Sequence, residues 1–346
     1  MKVELWGTYP PPIGGVTIHI LRLIHRLHEC DRLILLRNFG KYDPKIPYIK
    51  TVRNRSFEFV KLLFSRRKII HLHSNNYVVF LLLLLFGRKH KIGVTLHNKN
   101  LIKEDSKIKR KIICAFLQEA EFVILNDPAY KQEILDSFDL RKDRIHVLPA
   151  FIAPLIREYK GVDQQLLEFK RDFSFFISAN AYKLRLEDGV DVYGFDLLIR
   201  LVKFLVDKGI NVGLVFCLPI VGDYDYYQKC IALIQELRIE NHIMIYEKQL
   251  TNGFEVWKIS DLFIRPTSTD IEGISVKEAL HCGIPAIASD VCIRLQETVL
   301  FRNRDFNDLC DKTLECYNRK ISSRQNPISF SENSIEQILD IYKSIE

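Results

Sequence analysis

The sequence predicts an α/β protein built from two Rossmann-like, doubly wound domains. Three observations carry this expectation. Short apolar runs alternate with stretches of helical spacing from residue 2 to 148, and the alternation restarts at residue 173. Strands that alternate with helices imply a parallel sheet covered on both faces. The segment between, residues 149–172, breaks the pattern with Pro149, Pro154 and mixed charge. A chain of 346 residues is also long enough for two cores of ordinary size.

The elements of the first half follow from period and punctuation. Strands are expected at Lys2–Trp6, Arg32–Arg37, Ile69–His73, Ile92–His97, Phe122–Leu125 and Ile145–Leu148. Helices are expected at Val16–His28, Phe57–Phe64, Tyr77–Phe86, Ile108–Gln118 and Ala129–Ser137. Tyr77–Phe86, YVVFLLLLLF, is the most apolar run, but its ten residues fall short of the roughly 20 that span a bilayer. It reads as a buried crossover helix. In the second half, strands are expected at Phe173–Ser178, Val212–Cys217, Ile243–Tyr246, Leu262–Arg265 and Pro285–Ser289, and helices at Phe195–Lys208, Tyr226–Leu237, Gly253–Ser260, Ser275–Cys282 and Ser334–Ile345. The division is therefore residues 1–153, a linker at 154–172, a second domain at 173–330 and a final helix within 331–346.

Composition bounds the function. Hydrophobic residues at 47% and charged ones at 27% suit a globular protein. The eight cysteines form no CxxC pair, and the start MKVELWGTYPPPIGG lacks the regions of a signal peptide. Reduced thiols and a cytoplasmic location are expected. The net charge of +7 is uneven: residues 1–153 carry +13 and residues 154–346 carry −6. Cations bunch at Arg66–Lys68, at Arg88, Lys89 and Lys91, and at Lys103, Lys107, Lys109, Arg110 and Lys111. Such a half suits an anionic membrane surface. Nucleic acid is disfavoured, because the cations lack interleaved aromatics and no known binding module is present.

The stretch from Thr267 to Asp290, TSTDIEGISVKEALHCGIPAIASD, is the most informative. It follows the strand ending near Ile264, opens a helix at Ser275 and leads to another strand. The backbone N–H groups of Gly273, Ile274 and Ser275 then lie at a helix amino end, which favours an anion such as phosphate. Asp270 and Glu278, eight positions apart, sit awkwardly beside phosphate and are better read as acceptors for hydroxyls of a ribose or sugar. A nucleotide sugar offers both kinds of group. Ser275 and Glu278 are also spaced as a capping box.

These residues resemble the Glu-x7-Glu signature of the family 4 retaining glycosyltransferases of GT-B fold, with Asp270 at the first acidic position and Glu278 at the second. The resemblance implies two facing Rossmann-like domains across a cleft. It implies that the first acid contacts the donor sugar, that the glycine and its neighbours hold the diphosphate, and that the second acid binds the ribose. Aspartate for glutamate is a departure. By the same resemblance, Gly14 and Gly15 in YPPPIGGVTIH face the donor, and His97 reaches the donor sugar. His19, one turn into the following helix, has an ordinary surface role as its plain alternative. The family's Lys-Gly pair is here Tyr193-Gly194, so Lys183, with Asn180 beside it and Arg185 after it, is the cation expected at the leaving diphosphate. The last helix is expected to cross back onto the first domain.

The expected function is transfer of a sugar, with retention, from a nucleotide-diphosphate sugar to a lipid-linked saccharide acceptor in surface polysaccharide, O-antigen or lipopolysaccharide assembly. The enzyme would sit peripherally on the inner face of the cell membrane. No cofactor is expected and no metal is required. His71 and His73 read as structural, and Asp223-Tyr224-Asp225 as a surface turn. A nucleotide-sugar epimerase of the same shape and an inactive nucleotide-sugar-binding subunit remain the rivals.

Overall fold

The computed structural model describes all residues except 1, 156, 157, 159, 160, 249–252, 271, 272 and 321–332, together with the side chains of 320 and 333. The chain divides into two compact units, Met1–Ile152 with Ser331–Glu346, and Ala153–Phe330.

Unit 1 runs β1 (Val3–Gly7), α1 (Gly15–Cys30), β2 (Ile34–Asn38), β3 (Ile49–Thr51), α2 (Arg55–Phe64), β4 (Ile69–Leu72), α3 (Tyr77–Phe86), β5 (Lys91–Leu96), α4 (Lys107–Glu119), β6 (Phe122–Leu125), α5 (Pro128–Ser137) and β7 (Ile145–Val147). The strands form one sheet in the order β3-β2-β1-β4-β5-β6-β7, every pair parallel. Helices fill both faces, so β4 is buried along its whole length. Polar side chains start the helices: Asn54, Asn76 and Asp127 accept from the first-turn N–H groups of Phe57, Val78 and Ala129. Strand β3 has three residues at the sheet edge, too few to leave a period in the sequence.

One expectation changes here. Helix α3 is half-buried, not buried: Phe80 and Leu83 enter the core, whereas Val78, Leu81 and Leu85 are exposed. A helix that is apolar all round gives no hint of which side the sheet will take.

Unit 2 runs α6 (Gln164–Arg171), β8 (Phe175–Asn180), β9 (Lys183–Leu184), β10 (Leu186–Glu187), β11 (Val190–Asp191), α7 (Phe195–Asp207), β12 (Val212–Cys217), β13 (Ile220–Gly222), α8 (Tyr224–Glu236), β14 (Ile243–Tyr246), α9 (Gly253–Ile259), β15 (Leu262–Arg265), α10 (Ile274–His281), β16 (Ala286–Ser289), β17 (Val299–Phe301) and α11 (Phe306–Lys320). Six strands form a second parallel sheet, β14-β12-β8-β15-β16-β17. Two small ribbons, β9 with β13 and β10 with β11, stand apart from it.

The expected linker 154–172 is corrected in its second part. Asp163 caps α6 by accepting from Gln165 N–H, and basic Lys170 and Arg171 close the helix. Its Leu166 is fully buried in the core with Phe176 and Phe254. The two apolar positions Leu166 and Phe169 lie one turn apart, which gives the short helix a face to bury. The boundary expected at 330/331 lies outside the described residues.

The last helix, α12 (Asn333–Ser344), belongs to unit 1. Ile335, Ile338, Ile341 and Tyr342 recur at helical spacing and bury against the core that holds Ile20, Leu23 and Ile24 of α1. Lys91 Nζ donates to the Ile345 carbonyl.

Candidate active site

In open parallel sheets, ligands bind beyond the carboxyl ends of the strands where the strand order reverses. In unit 2 that point lies between β8 and β15. Asn180 ends β8, Arg265 ends β15, and α10 opens nearby at Gly273. These residues meet. Arg265 Nη1 lies 3.5 Å from Asn180 Oδ1 and 3.3 Å from Ser275 Oγ.

Asp270 sits in the middle of this cluster. It accepts from Arg265 through Nε at 2.5 Å and Nη2 at 3.2 Å, and from Arg294 Nη1 at 3.0 Å. Burial pushes its carboxyl up, but Arg265 and Arg294 together outweigh burial and hold it well below the usual carboxylate range. Two guanidinium groups thus face one carboxylate beside the α10 amino end. Arg265 and Arg294 were missed by sequence reasoning. Arg265 carries a signal, being a charge at the end of a buried strand, whereas Arg294 lies 24 residues from Asp270 and carries none.

Gly273 is required by this arrangement. Its φ is +68°, and a Cβ there would lie 2.3 Å from Arg294 Nη1. It is the N-cap of α10, so Ser275 is already inside the first turn. The capping box expected of Ser275 and Glu278 does not form. Glu278 instead is buried, and its Oε2 accepts from Trp257 Nε1 of α9 at 3.1 Å. The indole holds the carboxylate in one orientation. If Glu278 binds a ribose, Trp257→Phe should weaken donor binding by roughly tenfold to 100-fold, the value of a hydrogen bond to a charged group. Calorimetric titration with the donor checks this; unchanged affinity would leave Trp257 as packing alone.

The loop after β8 is more ordered than a solvated basic loop. Lys183 lies on β9, exposed, with no ion pair or side-chain hydrogen bond among the described residues. Arg185 is exposed and pairs with Glu187 at 3.6 Å. Asp191 accepts from Tyr193 N at 2.9 Å, Phe195 N at 2.6 Å and Tyr226 Oη at 2.9 Å. It fixes the start of α7, where Gly194 adopts φ +67° against the Pro266 carbonyl. The glycine of the Tyr193-Gly194 pair is therefore demanded by the backbone, and the tyrosine is not. Asp223 caps α8 by accepting from Tyr226 N–H at 3.0 Å.

In unit 1 the order reverses between β1 and β4. Gly14 is the extended N-cap of α1 and Gly15 its first residue; Gly14 N–H donates to Thr17 Oγ1 at 3.0 Å. A Cβ on Gly14 would meet nothing within 4 Å, so the fold of unit 1 does not itself demand glycine there. His97 follows β5, and its Nε2 lies 3.1 Å from His73 Nδ1. The neighbouring Asn98 Oδ1 accepts from Asn75 Nδ2 at 2.8 Å. His19 is no surface histidine: it is buried, with Nδ1 2.7 Å from the Ala150 carbonyl.

Of the cations near α4, Lys103, Lys107 and Lys111 are exposed. Lys109 pairs with Glu104 at 3.5 Å, and Arg110 donates to the Ser137 carbonyl at 2.9 Å while lying over the Phe138 ring. Arg110 thereby ties α4 to the end of α5. Exposed apolar residues lie near by: Phe57, Val60, Leu63 and Phe64 on α2, Val78, Leu81 and Leu85 on α3, and Ile108 on α4. Helix α3 packs beside both α2 and α4.

Residues 181–299 match the family described as "Glycosyl transferases group 1". An uncharacterized glycosyltransferase of Methanocaldococcus jannaschii is 22% identical over 348 residues, covering 92% of this chain and 89% of that protein. Among solved structures, HepE of Anabaena in complex with UDP superposes with a TM-score of 0.72 at 14% identity, covering 100% of this chain and 98% of that one. The lipopolysaccharide outer core galactosyltransferase WaaB superposes with a TM-score of 0.60 at 14% identity, covering 100% of both chains. These matches support a glycosyltransferase, and the fold, with its two parallel α/β sheets, is that of the GT-B glycosyltransferases.

Proposed function

We propose that the protein transfers a sugar, with retention at the anomeric carbon, from a nucleotide-diphosphate sugar to a lipid-linked saccharide acceptor. The observation that carries this reading is the cluster at the β8–β15 reversal, where the guanidinium groups of Arg265 and Arg294, held by Asp270, adjoin the amino end of α10. A departing diphosphate develops negative charge, and preorganised N–H groups of Gly273, Ile274 and Ser275 stabilise such charge in the transition state. In this reading Lys183, Arg185 and Asn180 serve the diphosphate, Glu278 takes the ribose hydroxyls, and His97, Gly14 and Gly15 keep the roles that the family resemblance gives them. Asp270 acts chiefly by fixing Arg265 and Arg294, with the donor sugar as its second partner. The UDP complexes of HepE make a uridine diphosphate sugar the first donor to try, and WaaB supports a lipopolysaccharide-type acceptor.

A thermal-unfolding screen of nucleotide sugars, followed by turnover with a lipid extract, tests the reading. Stabilisation by one donor is expected from mass action, and a new glycosidic bond from transfer. An epimerised nucleotide sugar without a new bond would establish the epimerase instead; binding without turnover would establish the inactive subunit.

The acceptor side rests on unit 1, whose α2, α3 and α4 expose apolar side chains beside Lys103, Lys107 and Lys111. Among the described residues no helix is long and apolar enough to cross a membrane. Peripheral binding to the anionic inner face fits that surface. Each cation near such a surface contributes about 1 kcal/mol. Mutating all three lysines to glutamate should therefore weaken binding to anionic vesicles by at least about 150-fold. Sedimentation with vesicles reads this, and unchanged partition would remove the membrane role.

A further inference from the structure

The β1–β4 reversal of unit 1 gathers histidines from three separate elements. His19 comes from α1, His73 follows β4 and His97 follows β5. One ligand nitrogen from each lies within 4.8 Å of the other two, with no carboxylate or thiolate in the group. We propose that His19, His73 and His97 form a binding site for a divalent transition-metal ion, with Zn2+ as the best fit.

Two features of the group argue for a metal. First, the spacing is close to what is needed: ligand nitrogens about 2.05 Å from a tetrahedral Zn2+ lie about 3.4 Å from one another. His73 Nδ1 and His97 Nε2 already lie 3.1 Å apart, and modest rotation of the rings would close the rest. Second, His19 has the support that metal-bound histidines have. Its Nδ1 lies 2.7 Å from the Ala150 carbonyl, which can only accept, so Nδ1 carries the proton and Nε2 presents its lone pair.

The neighbouring His71 marks the limit of the set. Its Nδ1 lies 2.6 Å from Tyr342 Oη and its Nε2 2.7 Å from Thr95 Oγ1. Both its nitrogens are thus engaged, and its ring backs His73 with centroids 4.3 Å apart. An all-nitrogen donor set selects Zn2+, Co2+, Ni2+ or Cu2+ over Mg2+ and Ca2+, which require oxygen. Three imidazoles leave a fourth position for water or for an oxygen of a bound phosphate or sugar. The plain alternative is a stack of neutral imidazoles joined by the His73–His97 hydrogen bond.

The test uses the full chain, stripped with a chelator and dialysed, then titrated with Zn2+ against a chromophoric competitor. One Zn2+ per chain is expected, with a rise in unfolding temperature that Mg2+ does not reproduce. Co2+ should give the strong visible d–d bands of a low-coordinate nitrogen site. His19→Gln, His73→Gln and His97→Gln should each weaken Zn2+ binding by more than the roughly 10 to 100-fold that loss of an outer-shell hydrogen bond costs. His97 is only partly buried, so its variant keeps a folded protein available if His73→Gln unfolds. No saturable binding, or binding unchanged in His97→Gln, would overturn the proposal. The readout is the metal itself, so this inference stands or falls independently of sugar transfer.

Discussion

Asp270→Ala is expected to destabilise unit 2 by about 3–5 kcal/mol, the cost of leaving buried charge without its partner. The carboxylate accepts from both Arg265 and Arg294, and the Arg294 side chain is only 1% exposed. Removing it takes an anion from between two guanidinium groups that are largely out of water. Asp270→Asn keeps an acceptor of the same shape but not the charge, so it should recover only part of the loss. The same interaction fixes the pH dependence. A carboxyl whose pKa is depressed on folding contributes stability that is fully present above its unfolded value of about 3.9 and is lost as pH falls through its folded value. The wild type should therefore lose more stability between pH 5 and pH 2 than Asp270→Asn does. Urea denaturation across that range reads both effects. If Asp270→Ala melts like the wild type yet abolishes transfer, Asp270 is a donor contact first and an anchor for arginines second.

Lys183→Ala is expected to lower kcat by about 100 to 1,000-fold, the typical value of one electrostatic donor at a developing oxyanion, with the unfolding temperature unchanged. The separation is possible because Lys183 is exposed on β9 and has no ion pair among the described residues. Its removal takes nothing from the folded state and leaves no buried group uncompensated. Arg265 offers no such separation, since it also binds Asp270. Steady-state kinetics on the variant, with donor saturating, reads the effect. A rise in KM with kcat preserved would place Lys183 in ground-state binding, and no change in either would remove it from the site.

The stretch from Thr267 to Asp290 shows how far sequence carries the candidate site. Gly273, Ser275 and Glu278 were legible because a helix amino end announces itself locally, through a glycine after a strand and helical spacing beyond it. Asp270 was legible as a residue worth attention, but its partners were not. Arg294 reaches it from beyond β16, and no local period records that meeting. The same holds for Glu278, which the sequence pairs with Ser275 and the fold pairs with Trp257 of α9. His19, His73 and His97 lie on three elements that become neighbours only when β1, β4 and β5 take their places in the sheet.

What the sequence determined by itself is the alternation of strands and helices, the two-unit division, and the helix that follows Gly273. These depend on periodicity, capping and turn chemistry, which act over a few residues and are written in consecutive letters. What the tertiary structure decided is which charges and rings meet: the two arginines on Asp270, the indole on Glu278, the exposed side of α3, and the three imidazoles gathered at the β1–β4 reversal. Those meetings follow from strand order, and strand order is set by the packing of whole elements, over distances that no local pattern spans.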